Sequence, residues 1–172
     1  IDVRANTGGN VSALRLAEYF AGQEGPAVAL LSRPYLERLG RPVAPADIAQ
    51  APQVTGRYTG EGVFEALQQH EGVAVFRLQD LGERRYRGPV VVLMGPVTSS
   101  AAEGFAMAMR RQTHARLIGE PTAGYILSGD TVEVAPGWSL TVPTAGVWNG
   151  AGEDVGDLPV KPHEIVAQTR AD

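Results

Sequence analysis

The chain has 172 residues, 44% of them hydrophobic and 20% charged, with a formal net charge of −4 and no cysteine. That length fits one domain with a sizeable core, and the acidic balance without any basic block argues against a nucleic-acid surface. No apolar run approaches the ~18 residues of a bilayer span, and without cysteine there is no disulfide, thiolate nucleophile or cysteine-ligated metal, an absence compatible with any compartment.

Ile1-Asp2-Val3-Arg4 carries neither an initiating Met nor a signal peptide. It reads as the end of a buried strand entered in mid-element, so the chain is expected to be part of a longer protein, lacking N-terminal elements. Asn6-Thr7-Gly8-Gly9-Asn10 is a tight turn whose glycines permit close backbone approach. Val11, Leu14, Ala17 and Ala21, joined by Leu16 and Phe20, follow helical spacing, and Gly22 with Gly25-Pro26 ends that helix. Residues 27–31 (AVALL) make a second buried strand. Strand, helix and strand in this order predict a βαβ unit and hence a parallel sheet.

Residues 33–62 differ in character, punctuated by Pro34, Gly40, Pro42, Pro45 and Pro52. They read as a long surface excursion with one or two short helices, serving as a lid or a contact surface. Residues 63–69 predict a short helix and residues 73–78 a strand, while Arg84-Arg85-Tyr86-Arg87 is a solvated basic connector. Residues 1–172 are thus expected to form one core domain with a variable excursion at about 33–85.

Residues 90–94 (VVVLM) form a continuous apolar run closed by Gly95-Pro96, the pattern of a strand buried on both faces. The following run of small residues predicts a helix beginning at Ser100. A hydroxyl there lies beside N–H groups without intrahelical partners, at the positive end of the helix dipole, where an oxyanion can be held. Ser100-x-x-Glu103 is equally a capping box, and the two roles are compatible. Residues 115–118 predict a short strand leading to Gly119-Glu120-Pro121-Thr122-Ala123-Gly124. Residues 131–134 and 139–142 alternate around a Pro136-Gly137 turn as a hairpin. Residues 146–156 are a Gly-rich loop carrying Trp148, Glu153 and Asp154.

Three loops, at residues 6–10, 98–102 and 119–125, stand at the carboxyl ends of predicted strands, the edge where open α/β sheets bind ligands. A Gly-Gly turn converging on a serine-bearing helix start suits acyl transfer. The scattered His70, His114 and His163 give no metal-ligand spacing, and no P-loop pattern is present, so no cofactor is expected.

Asp2-x-Arg4-x-Asn6-x-Gly8-Gly9, the Gly88-to-Leu93 strand, Thr98-Ser99-Ser100-Ala101-Ala102-Glu103 and Gly119-Glu120-Pro121-Thr122-Ala123-Gly124 occur in that order. Together they resemble the C-terminal-processing (tail-specific) peptidase and tricorn family of serine peptidases. The resemblance implies an α/β fold with a ClpP/crotonase-like core, a parallel sheet flanked by helices, and a C-terminal β-hairpin. It implies Ser100 as nucleophile, with Ser99 the neighbouring alternative, and an oxyanion hole from Ala101 and Gly8 with Gly9 beside it. A peptide or protein substrate and an extracytoplasmic setting follow from the same resemblance, with homo-oligomerisation left open.

The general base departs from the family pattern. The tail-specific branch places a lysine 25 positions after the nucleophile, where this chain has Tyr125, and a phenol is a poor proton acceptor at neutral pH. Tyr125 therefore reads as a pocket or packing aromatic on the substrate side. The tricorn-like branch, the nearer match, uses a histidine from upstream of the Asp-x-Arg-x-Asn motif and a late glutamate, matched here by Glu153 with Asp154 as fallback. His114, 14 residues beyond Ser100 on the same predicted helix, stands about 21 Å away along the axis. A catalytic histidine is therefore expected outside this chain. The alternative to a peptidase is a non-catalytic module binding peptides or apolar ligands on the same fold.

Overall fold

A computed structural model describes residues 1–56 and 58–169. Its strands separate into two sheets. In the larger, β1 (Gly25–Ser32) is central, with β3 (Val73–Leu78) and then β2 (Gln53–Val54) on one side and β7 (Trp138–Asn149) and then β6 (Ser128–Ala135) on the other. The smaller sheet runs β4 (Val91–Met94), β5 (Arg116–Gly119), β8 (Glu164–Ile165), all parallel.

The unbroken apolar run of β1 suits a strand covered on both faces. Val28 and Leu30 enter the main core, while Ala29 and Leu31 pack with Ile48 and Trp148 in a second cluster. Between the sheets lies α5 (Ala101–Gln112), which contacts both β1 and β5 and is buried from Ala102 to Met109. Its small and apolar residues all round are what a fully interior helix requires. The shorter α1 (Ser12–Glu18) packs on α5 and β3. Buried Glu18 accepts hydrogen bonds from Arg15, from the Tyr58 hydroxyl and from Gln79 N, which ties α1 to the end of β3. Burial first, and then the neighbouring Glu18 carboxylate, pushes the Tyr58 hydroxyl well above its ordinary pKa.

The expected βαβ unit is not formed. Residues 1–3 pair with β4, through Val3 N to Leu93 O and Leu93 N to Ile1 O, whereas β1 joins the other sheet antiparallel to β3 and β7. The chain crosses from one sheet to the other because α1 is seated on α5 and β3, not across the first sheet. Among the described residues, parallel pairing is confined to the smaller sheet, with Asp2 bridging Leu93 at its edge, and to β2 with β3. Nor is β4 buried on both faces: Val92 and Met94 are fully covered, whereas Val91 is 39% exposed, because only one face meets the core.

The excursion resolves into α2 (Arg33–Leu39), α3 (Pro45–Gln50), β2 and α4 (Gly60–Gln69). The Ser32 hydroxyl caps α2, and the Thr59 hydroxyl caps α4 by accepting from Gly62 N. The hairpin around Pro136-Gly137 forms as expected and is longer at both ends. No helix among the described residues is long and apolar enough to cross a membrane.

Candidate active site

The site is assembled where three loops meet at the start of α5. Ser99 N donates to Asn6 O at 3.1 Å and the Ser99 hydroxyl donates to Thr7 O at 2.9 Å. Buried Thr98 donates its hydroxyl to Val3 O and accepts from Gly95 N. These bonds clamp the Gly-Gly turn onto the serine loop. Asn6 shapes the turn from within, its side-chain oxygen accepting from Gly8 N at 2.9 Å. Upstream, Arg4 forms a bidentate pair with Asp2, and the guanidinium holds the Asp2 carboxyl down at about 2.

Ser100 sits in a backbone conformation that L-residues rarely adopt, φ 55° and ψ −125°. The sharp turn projects its side chain out of the loop at the helix N-terminus. Its hydroxyl makes no cap hydrogen bond, so only the return half of the expected capping box exists: Ser100 N donates to Glu103 Oε2 at 2.9 Å. The same N–H also points at Tyr125 O, 2.9 Å away. Ser99 and Ser100 are thereby told apart, since the Ser99 hydroxyl is committed to the Gly-Gly turn and that of Ser100 is not.

The donors around Ser100 sort in a way that the sequence does not reveal. Gly8 N is engaged by Asn6, whereas the N–H groups of Gly9 and Ala101 have no partner among the described residues, and both residues border one cleft with Ser100. Gly8 serves by contact: at φ 118°, a Cβ on it would lie 2.6 Å from Ser100 Cβ.

Glu103, expected only as a cap, has a larger structural role. Fully buried, its carboxylate accepts from Ser100 N, Gly124 N at 2.8 Å, Tyr125 N at 3.0 Å and the Thr122 hydroxyl. Thr122 in turn accepts from Val160 N. The carboxylate thus fixes the Pro-Thr-Ala-Gly turn against the Ser100 loop. The signal in the sequence is one acid in the first turn of a helix otherwise too apolar to leave the interior.

Glu153, Asp154 and the three histidines are not brought to the serine. Tyr125 reaches the site with its backbone, and its side chain is 70% exposed. Glu153 accepts from Asn149 and stands 3.7 Å from Arg111, eleven residues along α5 from Ser100, about 16 Å down the helix axis. The turn carrying it folds back beside Pro26 at the far end of α5, which is why it does not face Ser100. Asp154 uses its side chain on Gly156 N. Of the histidines, His163 accepts from Leu117 N and completes the edge of β5, His70 ends α4, and His114 follows α5. Among the described residues no cluster of His, Asp or Glu is placed to hold a metal ion.

Beside Ser100 opens a cleft of about 230 Å3 bordered by α1, α4, α5, β1 and the start of β6. Its walls are mostly apolar. An activatable hydroxyl, two open amides and an apolar cleft together can bind an acyl group and stabilise an oxyanion.

The family model for peptidase family S41 matches residues 1–166. A carboxyl-terminal-processing protease from Picosynechococcus sp. is 32% identical over 88 residues, which are 51% of this chain and 21% of that protein. The chain thus spans about a fifth of that curated relative. Among solved structures, a photosystem II D1 C-terminal processing protease superposes with TM-score 0.63 at 20% identity, over 96% of this chain and 33% of that one. A lipoprotein from Streptococcus agalactiae gives TM-score 0.60 at 15% identity, over 96% and 48% respectively. These two likenesses concern the fold.

Proposed function

Because this chain belongs to peptidase family S41, we propose that it is the core of a serine peptidase that cleaves peptide bonds through an acyl-enzyme at Ser100. The observation that carries the reading is the Ser100 turn: a strained backbone, an unbonded hydroxyl and the open amides of Gly9 and Ala101 on the same cleft. Ser100 Oγ attacks the peptide carbonyl carbon, a C–O bond forms, the C–N bond breaks, and the serine proton passes through a base to the departing amine. Water then hydrolyses the ester. The carbonyl oxygen, negative in the tetrahedral state, is held by Ala101 N–H and Gly9 N–H, with Gly8 shaping the turn and the dipole of α5 adding to the field.

The base is the remaining role. Among the described residues no lysine or histidine borders the cleft. We assign that role to a histidine outside this chain, upstream of the Asp2-x-Arg4-x-Asn6 motif, the arrangement of the tricorn-like branch. Glu153, being at the other end of α5, is left out of it. Hydrolysis of a quenched fluorescent peptide by the full-length protein tests the reading: Ser100→Ala abolishes turnover, and turnover retained in that variant refutes it.

The unfilled base position favours one second reading, a non-catalytic module that uses the same cleft to bind a peptide or an apolar ligand. In that case serine-directed probes leave Ser100 unmodified.

A further inference from the structure

Gly104 occupies the interior of α5, four residues and one turn beyond Ser100, and it borders the same cleft. Glycine there costs the helix about 1 kcal/mol relative to alanine, so its presence needs a reason. Close packing does not supply one. A Cβ built on Gly104 meets a single neighbour, Val28 Cγ2, at the ordinary contact distance of 3.8 Å.

Helical side chains lean toward the N-terminus and lie over the preceding turn. Any side chain at 104 would therefore project toward Ser100 and into the cleft. The volume left open is about 230 Å3, more than the ~150 Å3 of an apolar cavity known to hold benzene. Leu14, Val28, Leu30, Val63, Leu67 and Val147 supply its walls, and the one carboxylate at the cleft, Asp130, is exposed at the rim.

We propose that this cleft is the subsite for the side chain of the residue whose carbonyl is attacked, that it selects large apolar residues such as Leu and Phe, and that Gly104 sets its depth. The inference rests on Ser100 being the nucleophile. A Phe or Leu side chain buried there removes apolar area from water without leaving a polar group unpaired. A charged side chain would have to lose its hydration against walls whose polar groups, Asn10, Ser128 and Thr144, are neutral, with Asp130 only at the rim. A Gly or Ala would leave the cleft unfilled.

The test uses diphenyl aminoalkylphosphonates, which place one chosen side chain beside a serine-reactive phosphorus, alongside a small fluorophosphonate without a side chain. Labelling of Ser100 by the Leu and Phe probes is expected to be at least tenfold faster than by the Gly, Asp and Lys probes. Gly104→Leu should erase that advantage, the rates of the Leu and Phe probes falling to that of the Gly probe. Equal rates across the series, or fastest labelling by the Lys probe through Asp130, overturn the proposal while leaving the nucleophile intact. If the fluorophosphonate fails on Ser100, the nucleophile reading itself fails, and the cleft is then tested by binding alone. N-acetylphenylalanine amide should shift the backbone resonances of Gly104 and Val147 in the wild type and not in Gly104→Leu, and unmoved resonances in the wild type refute the subsite.

Discussion

Gly8 is pressed against Ser100: a Cβ on the glycine would stand 2.6 Å from the serine Cβ and 3.2 Å from its hydroxyl oxygen. Together with the Gly8 φ of 118°, this leaves no room for any other residue. Gly8→Ala is therefore expected to force the two loops apart, at a cost of about 1–3 kcal/mol, and to slow modification of Ser100 by at least tenfold. Urea denaturation and probe-labelling rates measure the two effects. A variant with unchanged labelling would show that the Gly-Gly turn does not shape the site.

Ser100 pays for its position in backbone strain, since its φ is positive and its hydroxyl caps nothing. Ser100→Gly should accordingly be more stable than the wild type by about 1 kcal/mol, the relief of strain exceeding the entropic cost of glycine. Ser100→Ala, which keeps the strain, should stay within about 0.5 kcal/mol. Ser99→Ala behaves differently, losing about 1 kcal/mol with its bond to Thr7 while labelling persists. Thermal denaturation of the three variants separates these outcomes, and a destabilised Ser100→Gly would contradict the strain argument.

Glu103→Gln replaces one carboxylate oxygen by an amide nitrogen facing N–H donors. Two of the four bonds to the carboxylate would be lost, either those from Ser100 N, which keeps Tyr125 O, and Tyr125 N, or those from Gly124 N and the Thr122 hydroxyl. A loss of about 1–3 kcal/mol in urea denaturation is expected, together with slower labelling, because the 122–125 turn is no longer fixed to the Ser100 loop. Stability equal to the wild type would show that the carboxylate is not the clamp.

Far from the site, the Arg41 guanidinium and the Ala44 N–H hold the half-buried Asp47 carboxyl down at about 2, against an ordinary value of ~3.9. A depressed carboxyl contributes stability that is complete above the ordinary value and is lost as pH falls through about 2. Carbon-detected NMR titration should give an Asp47 midpoint near 2, and Arg41→Ala should move it up toward the ordinary value. An unperturbed midpoint in the wild type would mean that the pair does not persist in solution.

The local code was readable where it depends on neighbours in sequence. The Pro136-Gly137 turn announces its hairpin, β3 has the bounds expected of it, and the small-residue run after Ser100 makes an interior helix. What the sequence hid depends on contacts between distant segments. The pattern of residues 1–31 fits a parallel βαβ unit, yet α1 docks on α5 and β3, and the chain changes sheets. Glu153 is expected at the site only from the resemblance to the tricorn-like branch, and the turn at 150–152 carries it to the far end of α5. The meeting of the Gly-Gly turn with the Ser100 loop was legible, whereas the commitment of Gly8 N to Asn6 required the folded loop. Gly104 gave no signal, since a glycine in a helix shows its purpose only through the space beside it.

The account stands most directly on the reactivity of one hydroxyl. Treating the full-length protein with a fluorophosphonate and mapping the adduct by mass spectrometry should place it on Ser100, with none on Ser99 and none in Ser100→Ala. A folded wild-type protein that takes up no probe, or takes it up elsewhere, would contradict the assignment of this site.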